Sequence, residues 1–198
     1  MTARLRARGF EKRAGAIFTY TVSNDVIGWL GVNTARRHLV AGSVEVFPVV
    51  GVRHQGIERI VAELRGEKFH PYLPPTVSSP LGQLMPDMRY KAWAIGPNDI
   101  DTKSDEVVAA IEKFGVPFME SGSSLREIDR LLNAGMGAQH QLIYRRPVSL
   151  LLLGDVARAM QVVDSSQEGL GTRDDPAATE FRSFADRFRV RYGLNSAD

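Results

Sequence analysis

The chain has 198 residues, 43% of them hydrophobic and 24% charged, enough for an ordinary globular core without a covalent or metal staple. It holds no cysteine, which removes disulfides, thiolate nucleophiles, zinc ribbons and iron–sulfur clusters together and fits a reducing, cytoplasmic setting. Its net charge of +2 is a small excess, with arginines scattered among acids, and reads as a mixed solvated surface rather than a polyanion footprint.

The first eight residues, MTARLRAR, are basic but no apolar run follows, so no secretory signal is expected. The longest aliphatic run, residues 148–153, is broken by Ser149 and falls far short of the ~20 residues that span a bilayer. Residues 16–22 (AIFTYTV) alternate with a period of two: Phe18, Tyr20 and Val22 share one face, Thr19 and Thr21 the other. Ser23, Asn24 and Asp25 form a turn cluster, and residues 26–33 (VIGWLGVN) resume the pattern, giving a β-hairpin. A third strand covers residues 42–52 (GSVEVFPVVGV), where Pro48 lacks an N–H and needs an edge or a bulge.

At residues 56–64 the period changes: Ile57, Ile60, Val61 and Leu64 follow helical spacing and Gly66 ends the helix. Pro71, Pro74, Pro75, Pro80 and Pro86 then predict a loop without regular structure. Residues 88–95 (MRYKAWAI) alternate again as a fourth strand. Beyond it the pattern is helical. Thr102 is the expected N-cap of a helix carrying Val107, Val108, Ile111 and Phe114 and stopped by Gly115. Ser124 and Glu127 make a capping box ahead of Ile128, Leu131 and Leu132, and Gly135 and Gly137 break that helix. Residues 148–163 suggest a helical hairpin turning at Gly154 and Asp155, and residues 164–175 a mobile polar loop. In the last helix Asp175 caps, Pro176 takes the first position, and Phe181, Phe184, Ala185, Phe188 and Tyr192 form one stripe before Gly193. The expectation is one α+β domain over residues 1–198: an antiparallel sheet of about four strands in the first half (1–97), packed against helices, and a helical second half (98–198).

Chemistry is sparse. His38, His54, His70 and His140 make no two-ligand spacing, so no metal or cofactor is expected. The acidic stretch from Asn98 to Glu106 starts like a calcium loop but has Lys103 and Ser104 where an oxygen ligand and glycine belong, and it reads as a helix N-terminus. Gly135 and Gly137 follow a helix rather than a strand, which is wrong for a phosphate cradle. No nucleophile elbow surrounds a serine, and Ser121, Ser123 and Ser124 precede a helix that needs a cap. Glu45, between Val44 and Val46, is expected to face solvent. Basic clusters occur at Arg4, Arg6, Arg8, Lys12 and Arg13, at Tyr144, Arg145 and Arg146, and at Arg182, Arg187, Arg189 and Arg191, where the neighbouring aromatics fall on a buried helical stripe; nucleic acid is disfavoured.

The opening RLRARGFEKRAGAIFTYTVSNDVIGWLGVNT and the later SDEVVAAIEKFGVPFMESGSSLREIDRLL carry a family resemblance. They are similar to the bacterial family called domain of unknown function 4304: a short helix ending in L-x-x-x-G-F, an aromatic strand, then two helices joined by a P-F-x-E link. The matching residues are Leu5, Gly9, Phe10, Phe18, Pro117, Phe118 and Leu125. The resemblance transfers no catalytic residue. It implies an interaction or immunity role, because such proteins are encoded beside polymorphic toxins. The basic charge argues against a nuclease as the toxin, since inhibitors of nucleases are often acidic. The first expectation is therefore a protein-interaction module with another protein as partner and no membrane. The alternative is a small-ligand binder or enzyme with a dispersed site near the Pro-rich loop, drawn from His54, His70, Tyr90, Trp93 and Arg145.

Overall fold

The computed structural model describes residues 1–35 and 42–193. The alternating segments form one antiparallel sheet in which β1 (Glu11–Lys12), β2 (Ile17–Thr21), β3 (Val26–Ala35), β4 (Val44–His54) and β5 (Val77–Pro80) lie in chain order. β6 (Trp93–Ile95) also pairs with β4. β3 and β4 are the long pair, in register from Val26 opposite His54 to Ala35 opposite Glu45. The other edge of β4 is shared: residues 44–46 pair with β6 and residues 49–52 with β5. Pro48 falls in the gap between these ladders, so no pairing on that edge calls on the N–H it lacks.

The helices are α1 (Thr2–Arg6), α2 (Gln55–Arg65), α3 (Ile100–Ala110), α4 (Val116–Ser121), α5 (Leu125–Asn133), α6 (Gln139–Leu152), α7 (Val156–Leu170) and α8 (Pro176–Tyr192). The first half is thus sheet-rich and the second helical, an α+β fold. Even-numbered residues of β3 and β4, including Val26, Leu30, Val32, Val46, Val50 and Val52, are buried, and α4, α5 and the helical turn over Ile111–Gly115 pack on these two strands. Behind them α2 packs on α6 and α8, and α7 on α6 and α8. The aromatic stripe of α8 fills this second layer: Phe181, Phe184 and Phe188 are fully buried, and the Tyr144 ring meets Phe184 edge-on at 5.0 Å between centroids. Such pairs add about 0.5–1.5 kcal/mol beyond the area they bury. The capping expectations hold at Asp175, whose carboxylate accepts from the Ala178 N–H at 3.2 Å, and at Ser124, which accepts from Glu127 at 3.3 Å.

Four local expectations are corrected. The helix assigned to a Thr102 cap begins at Ile100, because Asp99 closes the preceding turn by accepting from the Gly96 N–H at 2.6 Å. Gly115 does not stop that helix. It stays right-handed at φ −79°, ends a π turn over Ile111–Gly115, and lets the helix approach the sheet, where a Cβ would lie 3.0 Å from Val50. The π turn precedes Pro117, whose missing N–H interrupts α-type pairing there. The Pro-rich segment is not wholly irregular: it contributes β5 and a 3₁₀ turn over Leu81–Leu84, because Pro80 ends its strand rather than interrupting it. Finally, α7 continues to Leu170, held by an ion pair between Asp164 and Arg189 of α8 at 2.7 Å, so the polar loop shrinks to residues 171–175.

Candidate functional site

Arg53 alternates with Phe47, Val49 and Gly51 on the odd-numbered face of β4, opposite α4. The loop of residues 66–76 folds over that end of the sheet and buries it. Gly51 makes room: a Cβ there would meet the Val77 carbonyl oxygen at 2.5 Å and Pro75 at 3.0 Å. The Arg53 guanidinium donates to the carbonyls of His70 and Pro74, and the Phe69 ring stacks over it at 5.3 Å. Arg53 is left only 1% exposed.

Beneath it, Glu58 of α2 is also buried and is gripped by Arg145 of α6 in a two-pronged pair, Nε to Oε1 at 2.7 Å and Nη2 to Oε2 at 3.2 Å. Arg53 Nη1 stands 3.5 Å from the same carboxylate. Two buried guanidiniums therefore share one carboxylate. Burial pulls the Arg53 pKa down to about 10; Glu58 opposes that and Arg145 adds to it, and Arg53 keeps its charge at neutral pH. A cavity of about 40 Å³ lies alongside, lined by Arg53, Glu58, Arg65, Lys68, His70 and Gln141 among others.

Of the five residues proposed from sequence, His70 and Arg145 reach this cluster, His70 through its backbone carbonyl. His54 neighbours Arg53 in sequence but lies in a separate cleft of about 330 Å³ with Asp25, Ser23, Ser123 and Ser124. That grouping contains the residue types of a hydrolytic triad, but the ring is wired differently. His54 Nδ1 accepts the Ile57 N–H at 3.3 Å as the N-cap of α2, so in the neutral ring Nε2 carries the proton. A triad histidine needs Nδ1–H and a bare Nε2. Burial, the largest influence, lowers the His54 pKa below the ordinary 6.5, against the opposing charges of Asp25 and Glu58. The unfolded chain then takes up the proton first, so this stabilisation is complete above about pH 6.5 and declines as pH falls. Urea titrations at about pH 7.5 and 5.5 should show wild-type stability dropping between them more steeply than that of His54→Asn, which caps without titrating.

Tyr90 and Trp93 lie elsewhere. Trp93 is buried on β6 opposite Val46, with Lys91 over its ring at 5.1 Å. Tyr90 is 57% exposed and its ring lies 6.1 Å from that of Phe47. His38 lies outside the described residues. Arg53 and Glu58 escaped the sequence reading. Alternation assigns Arg53 to the solvent face, and an acid in a first helical turn reads as a dipole contact.

Away from the loop, the odd-numbered sheet face is open in part, with Thr19 and Trp29 buried. Ile17, Ile27, Phe47 and Val49 are half-buried, and Thr21 and Asn33 are exposed. Trp29 lies flat across Gly31, where a Cβ would come within 2.5 Å of its ring. Val49 pairs opposite Gly31, so Trp29, Val49, Phe47 and Tyr90 run together across β3 and β4, with exposed Met88 beside Tyr90 in the chain.

The basic clusters are largely engaged within the chain. Arg4 pairs with Asp101 and Asp105 of α3, and Arg8 with Glu112. Arg187 donates to the Leu64 carbonyl, Arg189 binds Asp164, and Arg191 binds Glu63. These arginines fasten the first and last helices to the body. Among the described residues no three His, Asp or Glu side chains gather as a metal site, and no helix is long and apolar enough to cross a membrane. Compared with protein-family models, curated proteins and solved structures, the chain matches none.

Proposed function

We propose that the protein is an interaction module that docks another folded protein on the open face of its sheet. The carrying observation is the run of Val49, Phe47 and Tyr90 over the buried Trp29 ring, an aromatic-rich apolar strip of the composition found at interface centres. The charges at its margin come in matched pairs, Arg13 with Glu11 and Arg89 with Asp87, which suits a partner with an apolar centre and a mixed-charge rim rather than a polyanion. The resemblance to the toxin-associated family supports an immunity-type role in which the partner is a toxin encoded beside this chain. The enzyme or small-ligand reading draws less support: the cavity at Arg53, about 40 Å³, is well below the roughly 300–1,000 Å³ of organic-ligand sites, and in the larger His54 cleft, about 330 Å³, Nδ1 is committed to the Ile57 N–H.

The test is titration of the adjacently encoded protein against wild type and the double variant Phe47→Asp/Tyr90→Asp. Truncating or charging such anchors removes about 2 kcal/mol or more, roughly a thirtyfold loss of affinity. The expected result is that loss with the melting temperature of the double variant held within a few degrees. Equal binding by both proteins would overturn the assignment of this face.

A further inference from the structure

We propose that the cavity beside Arg53 binds a small monovalent anion of the size of chloride. The charge balance leads to this. Among the described residues, Arg53 and Arg145, both nearly inaccessible, share Glu58 as their one carboxylate. Arg65, at the cavity wall, is matched by Glu67 and Glu180. Lys68, also on the wall, has no ion pair among the described residues. Two buried cations thus stand against one buried carboxylate, which leaves one positive charge in the interior beside the cavity, and exposed Lys68 adds another at its mouth. A net buried charge is unfavourable unless something compensates it.

The hydrogen bonding points the same way. Arg53 Nη1 and Nη2 are taken by the carbonyls of Pro74 and His70, but its Nε, fully buried, has no acceptor among the described residues. Arg53, Lys68 and Gln141 all line the cavity and all bring N–H donors. Its volume of about 40 Å³ admits one such ion or a water or two. A phosphate or sulfate is both larger and more highly charged than the site requires.

Thermal unfolding at fixed ionic strength, exchanging gluconate for chloride, tests this. With chloride at about ten times its Kd the wild-type Tm should rise by about 4 °C. Gln141→Glu places a carboxylate on the cavity wall, in the first turn of α6 where a negative charge favours the helix. This variant should lose the chloride-dependent rise while sharing every general salt effect. Line broadening in chloride NMR, which does not depend on stability, should be present with wild type and lost in Gln141→Glu. Equal salt responses and equal line widths in the two proteins would mean that water alone fills the cavity, and would overturn the proposal.

Discussion

Glu58→Gln should cost about 3–5 kcal/mol of stability, read as a shift of the urea midpoint at unchanged slope, although it removes a single charge and no volume. The reason is what remains. Arg145 keeps one amide oxygen but meets an NH2 donor in place of the other, and Arg53 loses the one ionic neighbour it has among the described residues, while both guanidiniums stay buried. An amide can accept one hydrogen bond from this cluster but cannot neutralise two guanidiniums. The matched control removes all three charges. Arg53→Met/Glu58→Leu/Arg145→Met should be far less destabilised than Glu58→Gln, because a buried ion cluster repays its desolvation only in part. Non-additivity of this size between the single and triple variants is the signature of coupled charges. If the triple variant loses the sum of three separate single effects, the cluster is not the coupled unit described here.

Phe184→Ala should destabilise by a similar amount, about 3–5 kcal/mol, but by another mechanism. Its ring touches Tyr144, Phe181 and Phe188, all of them buried. These partners come from α6 and α8 and lie in a layer that four helices close around, so the site has little freedom to collapse and a void remains. The internal comparison is Val190→Ala on the same helix, a residue 76% exposed, which should change stability by no more than about 0.5 kcal/mol. Calorimetry of the two variants measures the difference directly.

What the sequence made legible was whatever local periodicity controls. The β2–β3 hairpin, the β4 strand, α2 with its Gly66 stop and α8 with its Asp175 cap all follow from alternation, helical spacing and capping residues that act within a few positions of themselves. The misreadings have a common origin in long-range packing. Gly115 looks like a terminator until Val50 is set against it, and residues 164–170 look like loop until Arg189 reaches Asp164. The charged cluster was the least accessible of all. Arg53, Glu58 and Arg145 come from three elements, the last two 87 positions apart, and each alone resembles an ordinary surface residue. Two of the five proposed site residues reach the cluster, and the loop that buries it was noted only for its prolines.

The edges of the sheet restrict how this protein can be joined by others. One margin is β1, a strand of two residues, and the other is divided between β5 and β6, of four and three residues. Pro80 closes β5, and Pro48 sits where the two short ladders part. Neither margin offers the long row of free amides and carbonyls that templates strand addition. An apolar sheet face with an extendable edge is a hazard for fibril growth. Here the chain can display Phe47, Val49 and Tyr90 without also offering a backbone on which copies of itself could propagate.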